Sequence, residues 1–361
     1  MRKWYESILL RIPTTLYSCV VGIRNFAFDK KILPSEHFSI PTICVGNLSV
    51  GGTGKTPFIE FLIQMLREEY RIAVLSRGYG RQGKKPIIAS LEDTALSIGD
   101  EPFQIKRKYP EVMVYIDGNR RRALRVMEGM PDATRPDVVL MDDGFQHRYV
   151  LPSYSIILTP YNRLYTEDQL MPLGQLRESP KEATRADTII ITHTPREAMQ
   201  VELRLKREGL NLLAYQDQHF CRIKYDEPIQ LFMMPNSSTR HTLTRKTSVV
   251  LLCGIGTPEH FCKKCETVFQ DIGDTLIYPD HHQYTLQDVE KFRGILAQNP
   301  EQQMITTEKD AMRLLALEDH LSEELKERIW YIPISIDMDL SSRIQILRRA
   351  KKAIKQNGLT I

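Results

Sequence analysis

The sequence predicts an α/β protein: a doubly wound parallel sheet, a second and smaller α/β unit after it, and an amphipathic helix in front. Three observations carry this. From residue 40 onward, short β-branched runs alternate with helical patterns. A second series of the same kind begins at Ser248. The first 28 residues place apolar side chains at helical spacing beside basic ones. Strands separated by helices imply parallel pairing, because a parallel crossover needs a connection as long as a helix.

In chain order, the amino-terminal segment comes first. Tyr5, Leu9, Ile12, Leu16, Val20 and Ile23 recur every three or four residues and share one helical face. The longest uncharged run there, between Arg11 and Arg24, has 12 residues, whereas a membrane span needs about 20. A helix lying in the membrane interface fits better, with basic flanks toward anionic headgroups. The rivals are a signal peptide, which lacks its small-residue cleavage site, and a helix packed on the protein's own core. Leu16-Tyr17-Ser18-Cys19 is a poor lipoprotein box, because Tyr17 is bulky.

The strands of the first unit are expected at 43–45, 72–75, 112–116, 138–141, 156–158 and 188–192, with a helix over 56–70. Those of the second are expected at 249–253, 275–278, 304–306 and 330–332, the last stopped by Pro333, with helices over 258–269, 286–296 and 344–354. Residues 216–247 are polar, contain Pro235-Asn236-Ser237-Ser238, and read as a linker. The expected organisation is a helix at 1–30, a first domain at 31–215, a linker at 216–247 and a smaller domain at 248–361.

Length supports two domains, since 361 residues is more than twice the size of an average one. The 42% hydrophobic and 26% charged content excludes a disordered, collagen-like or multi-span chain. Net charge is +4, and residues 1–31 alone sum to +4, so the main body is neutral. A nucleic-acid partner is therefore not expected. Of six cysteines only Cys262 and Cys265 are closely spaced. One such pair supplies half a structural zinc site, so it reads as a turn of helix with reduced thiols.

The chemistry starts at Ser49-Val50-Gly51-Gly52-Thr53-Gly54-Lys55-Thr56, between the first strand and the first long helix. Ser49 stands where the usual phosphate-loop pattern has its first glycine. The physics survives: glycines let N–H groups curl around phosphates, and the helix start adds a positive dipole. Lys55 is expected on the β- and γ-phosphates and the Thr56 hydroxyl on Mg²⁺. Pro57 suits the first helical turn. A P-loop of this kind expects an acidic strand end, and Val138-Val139-Leu140-Met141-Asp142 delivers Asp142 to the same sheet edge. Asp143 is a second metal candidate or a turn residue. The fold is thus of P-loop NTPase type, with ATP or GTP and Mg²⁺ as the bound species.

Other stretches are dense in functional residue types: Ser76-Arg77-Gly78-Tyr79-Gly80-Arg81, Gly99-Asp100-Glu101-Pro102, Asp142-Asp143-Gly144-Phe145-Gln146-His147, Asp280-His281-His282 and Thr307-Glu308-Lys309-Asp310. With Val45-Gly46-Asn47-Leu48 they make the chain resemble the tetraacyldisaccharide 4′-kinase (lipid A 4′-kinase) family over nearly its whole length. The resemblance implies transfer of the ATP γ-phosphate to the 4′-hydroxyl of a tetraacyldisaccharide 1-phosphate. It also implies work at the cytoplasmic face of the inner membrane, held peripherally or monotopically through residues 1–28, and two α/β domains joined by a short β linker. No obligate protein partner is inferred.

Roles follow from that resemblance. A sugar hydroxyl is a poor nucleophile, so an aspartate on its proton helps. Asp100 is the candidate, against simple capping of a helix start. His281 looks like its partner from the second domain, because the family's histidine directly follows the aspartate. The competing reading is two surface imidazoles. Arg77, Arg81, Arg120 and Arg121 are expected on phosphate, with a solvated helix face as the rival for Arg120, Arg121 and Arg122. By analogy with base-reading loops in other P-loop proteins, and not from the family resemblance, Glu308-Lys309-Asp310 is placed near the nucleotide base, and Gln146 and His147 are expected to shape the loop after Asp142. Two other classes compete: a P-loop GTPase or ATPase switch or metallochaperone with histidines and cysteines on metal, and a kinase for a soluble small molecule.

Overall fold

The computed structural model describes residues 4–232 and 242–357, and side chains from residue 10 onward. The first unit runs α1 (Trp4–Asp29), β1 (Thr42–Asn47), α2 (Lys55–Leu66), β2 (Ile72–Ser76), β3 (Ile87–Ile88), α3 (Ala95–Ile98), α4 (Asp100–Lys108), β4 (Met113–Ile116), α5 (Arg120–Glu128), β5 (Val138–Asp142), β6 (Tyr154–Pro160), β7 (Thr188–Thr192), α6 (Gln200–Glu208) and β8 (Asp217–Phe220). Then come β9 (Arg222–Tyr225) and β10 (Ile229–Gln230). The second unit runs β11 (Ser248–Cys253), α7 (Pro258–Val268), β12 (Asp271–Ile277), α8 (Leu286–Gln298), β13 (Gln303–Thr307), α9 (Glu308–Leu314), α10 (Glu323–Glu327), β14 (Ile329–Ile332), β15 (Ile334–Asp337) and α11 (Leu340–Asn357).

The first sheet has eight strands in the order β3-β4-β2-β5-β1-β6-β7-β8, all parallel except the β3–β4 pair. The chain builds outward from β1 on one side and returns to the other, so β1 lies at the switch point where such sheets bind ligands. Both faces are covered. Ile43 and Val45 join a cluster with Phe58, Ile59 and Leu62 of α2, whereas Cys44 joins one with Ala123 and Leu124 of α5. That double burial is why these strands read as continuous apolar runs. The second sheet, β10-β14-β13-β11-β12, is parallel apart from the β10–β14 pair.

Two parts of the expected organisation are corrected. Residues 216–247 are not simply irregular. β8 extends the first sheet beside β7, and β9 pairs antiparallel with β15 in a two-stranded ribbon between the units. Their polar, half-exposed edge positions hide the strand pattern. Pro235-Asn236-Ser237-Ser238 lies outside the described residues. The helix expected over 344–354 does form, as α11, but it returns to the first unit instead of closing the second. Ser342 Oγ meets His219 Nδ1 at 2.9 Å, and Asn357 Nδ2 donates to Phe38 O at 2.8 Å. Lys351 pairs with Glu69, and Arg349 with Asp217.

Candidate active site

The phosphate loop sits at the carboxyl end of β1. Gly51 and Gly54 hold left-handed φ values of 103° and 85°, conformations that L side chains rarely adopt. Asn47 Nδ2 donates to Thr53 Oγ1 at 2.9 Å, and Thr192 Oγ1 to Thr53 O at 3.0 Å, which braces the loop from two strands. Ser49 is buried in a bridge to Leu176, and the Val50 N–H bonds Gln175 O at 2.9 Å. Ser49 therefore anchors the loop's shoulder, where no left-handed glycine is needed. Lys55 and Thr56 are half-buried at the first turn of α2.

Asp142 ends β5 one strand away. Ser76 Oγ donates to its Oδ2 at 3.3 Å, and its Oδ1 is shielded with no hydrogen-bond partner among the described residues. Burial, then the charges of Asp143 and Glu101, push its carboxyl up to about 6. A buried carboxylate oxygen with no partner is a position suited to a cation. Asp143, expected beside it on the metal, takes a left-handed φ of 48° and turns instead to Lys55 Nζ at 3.7 Å and Arg177 Nη1 at 2.8 Å. Burial would raise this carboxyl, yet those two cations hold it below the usual range. Gln146 Nε2 donates to Asn47 O at 2.7 Å and ties this loop to the phosphate loop. Gly46 is needed under it, since a Cβ there would come within 2.5 Å of Phe145 Cβ.

Asp100 opens α4 after Gly99, whose φ of 99° makes the preceding turn possible. It is 4% exposed. His281 Nδ1 lies 3.1 Å from its Oδ2, although the two residues are 181 positions apart in sequence. His281 itself has a φ of 59°, and Tyr79 packs at 5.6 Å from its ring. His282 points elsewhere: Nε2 meets Asp288 Oδ2 at 3.1 Å and the ring stacks on Tyr278 at 4.4 Å.

The Glu308-Lys309-Asp310 stretch forms the start of α9 and grips α4. Lys309 Nζ reaches Glu101 Oε1 at 2.6 Å, and Glu308 Oε1 forms an ion pair with Lys108 Nζ at 2.8 Å. Lys108 also reaches Glu60 of α2. Asp310 is buried and accepts from Tyr284 OH and from Gly254 N at 2.8 and 3.0 Å. This stretch clasps the two units together. Sequence reasoning missed Arg313, one turn further on, which is fully buried with Nε 3.3 Å from Asp100 Oδ2. Its only sequence signal is the three-residue spacing from Asp310. Arg177, the partner of Asp143, was also missed.

The arginines divide. Arg77 is exposed, and Arg81 is half-buried with Nη1 shielded and without a hydrogen-bond partner among the described residues. Arg120, expected on substrate phosphate, is buried and donates to the carbonyls of Asp117 and Asp142 at 2.6 and 3.4 Å, so it holds the strand ends. Arg121 lies over the Tyr149 ring at 4.9 Å, and Arg122 pairs with Asp117 at 2.8 Å. His147 sits half-buried among cations. Burial, then Arg120, Arg24, Arg121 and Arg77, push its imidazole down to about 4.

α1 lies against this edge. Its inner face is packed: Tyr17 OH donates to Arg177 O at 2.8 Å, Arg24 Nη2 to Gln146 O at 2.7 Å, and Asn25 and Phe28 are buried. Its outer face leaves Ile12 78% and Ile23 70% exposed, with Leu16 and Val20 between. Among the described residues no helix is long and apolar enough to cross a membrane. Nor do any three His, Cys, Asp or Glu cluster as metal ligands there. Cys253 and Cys265 are buried thiols.

A family model described as tetraacyldisaccharide-1-P 4′-kinase matches residues 6–351. The chain is 38% identical over 342 residues to the tetraacyldisaccharide 4′-kinase of Porphyromonas gingivalis, covering 94% of this chain and 93% of that one. It is 40% identical over 339 residues to that of Parabacteroides distasonis, covering 92% and 91%. In structure it is similar to LpxK from Aquifex aeolicus, crystallised with ATP, with a TM-score of 0.71 over 94% of this chain and 97% of that one. At 24% identity that likeness speaks for the fold.

Proposed function

The chain belongs to the tetraacyldisaccharide-1-P 4′-kinase family, and we propose that its Ser49–Thr56 loop, Asp142, Asp100 and His281 form the active site of that reaction. The enzyme is a lipid kinase of lipid A biosynthesis. It moves the γ-phosphate of ATP to the 4′-hydroxyl of a tetraacyldisaccharide 1-phosphate. The observation that carries the site assignment is the meeting of Asp100 and His281, from opposite units, at the sheet edge that holds the phosphate loop.

The loop N–H groups and the α2 dipole bind the phosphate chain, and Lys55 offsets charge on the oxygens in transfer. Asp143 and Arg177 keep Lys55 aimed. Asp142 and Thr56 would hold Mg²⁺, which fits the unpartnered Asp142 Oδ1, and the ion would neutralise charge between the phosphates. Asp100 accepts the hydroxyl proton as the oxygen attacks phosphorus. His281 orients that carboxylate and shields it from water. Arg77 and Arg81 supply cations for a substrate phosphate, and the unpartnered Nη1 of Arg81 supports this.

The two units act as bodies that close over ATP and lipid before transfer, excluding water as a competing acceptor. The exposed stripe of α1 rests on the anionic inner-membrane surface, which brings the acyl chains to the site. The test is mass spectrometry of the product from ATP and a tetraacyldisaccharide 1-phosphate in detergent micelles. Gain of one phosphoryl group at the 4′ position is expected. ATP hydrolysis with unmodified lipid would contradict the reading and favour a nucleotide switch.

A further inference from the structure

Arg313 faces Asp100 and holds two backbone carbonyls that flank His281 in the fold. Its side chain has no exposure. Nη1 and Nη2 each lie 3.1 Å from Gly254 O, and Nη1 lies 3.0 Å from His282 O. Nη1 is also 3.4 Å from Asp310 Oδ1. Nε, on the other edge of the fork, faces Asp100 Oδ2 at 3.3 Å, the same oxygen that meets His281. The Gly254 carbonyl in turn accepts the His281 N–H at 3.2 Å. One guanidinium therefore holds the carbonyl that receives the His281 N–H, the carbonyl after His281, and the carboxylate opposite its ring.

We propose that Arg313 is a positioning residue for phosphoryl transfer, which sets the Asp100 carboxylate and the His281 imidazole in register when the two units meet. The inference rests on the reading of Asp100 as the base. A planar fork can hydrogen-bond the Gly254 and His282 carbonyls along one edge while its charge faces the Asp100 carboxylate from the other, and an ammonium cannot. His281 keeps a left-handed backbone, which costs energy for a side chain with a Cβ and persists only where the surroundings over-determine it. The Arg313 contacts on either side of it supply that constraint. Asp100 is buried, and a buried carboxylate needs a nearby cation as well as hydrogen bonds. Arg313 brings that cation from the second unit. The socket is tight: a Cβ on Gly254 would lie 2.8 Å from Asp310 Oδ1 and 3.3 Å from Arg313 Nη1.

The experiment measures kcat and KM for ATP in the full-length enzyme for Arg313→Lys, Arg313→Met, Asp100→Asn and each Arg313 variant combined with Asp100→Asn. Arg313→Lys should lower kcat about 10- to 100-fold with KM for ATP within about threefold, and Arg313→Met should lower it further. On the Asp100→Asn background either change should cost less than about threefold, because the carboxylate it positions is gone. Should neither variant fold, as judged by circular dichroism, Tyr284→Phe carries the test. It removes one hydrogen bond from Asp310 and loosens the guanidinium with no change of charge, with an expected loss in kcat of about threefold or more. Full activity of a folded Arg313→Lys, or an undiminished penalty on the Asp100→Asn background, would overturn the proposal while leaving the base assignment intact. Normal turnover by Asp100→Asn alone would overturn the base assignment, and this inference with it.

Discussion

Lys55 Nζ stands 3.7 Å from Asp143 Oδ1, and the other oxygen of that carboxylate meets Arg177 at 2.8 Å. The lysine of the phosphate loop is thus held in place by a charge relay from the loop after β5, and that loop is itself tied to α1 through Arg24 and Gln146.

Removing the ammonium is the first test. Lys55→Ala should lower kcat by about 10³-fold, because charge on the transferring phosphoryl group loses its nearest side-chain cation. Circular dichroism should be unchanged, since Lys55 lies at the surface end of α2. Turnover near that of the wild type would remove the phosphate-loop assignment.

The outer face of α1 can be changed without disturbing the packed one. Ile12→Ser, Leu16→Ser and Ile23→Ser together should reduce sedimentation with anionic vesicles by at least about tenfold, because each apolar side chain contributes about 1.5–3 kcal/mol when buried. The thermal midpoint should hold, as these residues contact water. High salt should weaken vesicle binding further by screening the headgroups. Unchanged vesicle binding by the triple variant would place the membrane contact elsewhere.

Between the units, Glu60 and Glu308 share one ammonium, that of Lys108. Burial pushes Glu60 up to about 7; Lys108 opposes this and Glu308 adds to it. In the unfolded chain a glutamate titrates near about 4.3. The folded value is the higher one, so the folded state binds the extra proton. Its stabilising effect is complete below about pH 4.3 and is lost as pH rises through about 7. Glu60→Gln should flatten this decline, and melting curves between pH 5 and 8 should show a variant of order 1 kcal/mol more stable than wild type at the upper end, relative to the lower. A parallel pair of curves would mean that Glu60 is already ionised throughout.

How much of this was legible depends on where the information lies. Runs such as Val138-Val139-Leu140-Met141 announce buried central strands, because both sheet faces are covered. The phosphate loop is legible because its glycines, lysine and threonine are contiguous. β8 and β9 are not, because edge strands with Asp217, Gln218 and Lys224 lack the apolar alternation. The apolar face of α11 is visible in sequence, but a face does not say which surface covers it, and the helix lies on the first unit. Arg120 and Arg81 look alike as letters. Only packing distinguishes a guanidinium fixed on two backbone carbonyls from one with a free edge. Arg313 is silent for the same reason, since its partners at positions 100, 254 and 282 converge only in the fold.

The central claim is that Asp100 and His281 act as one unit on one hydroxyl, and a double-mutant cycle tests it most directly. Asp100→Asn should lower kcat by about 10²- to 10⁴-fold and His281→Ala by a smaller factor, with nucleotide affinity retained in both. The double variant should be little slower than Asp100→Asn alone, because groups that work together are not additive. Losses that multiply in full would show that the two residues act independently and would contradict the account.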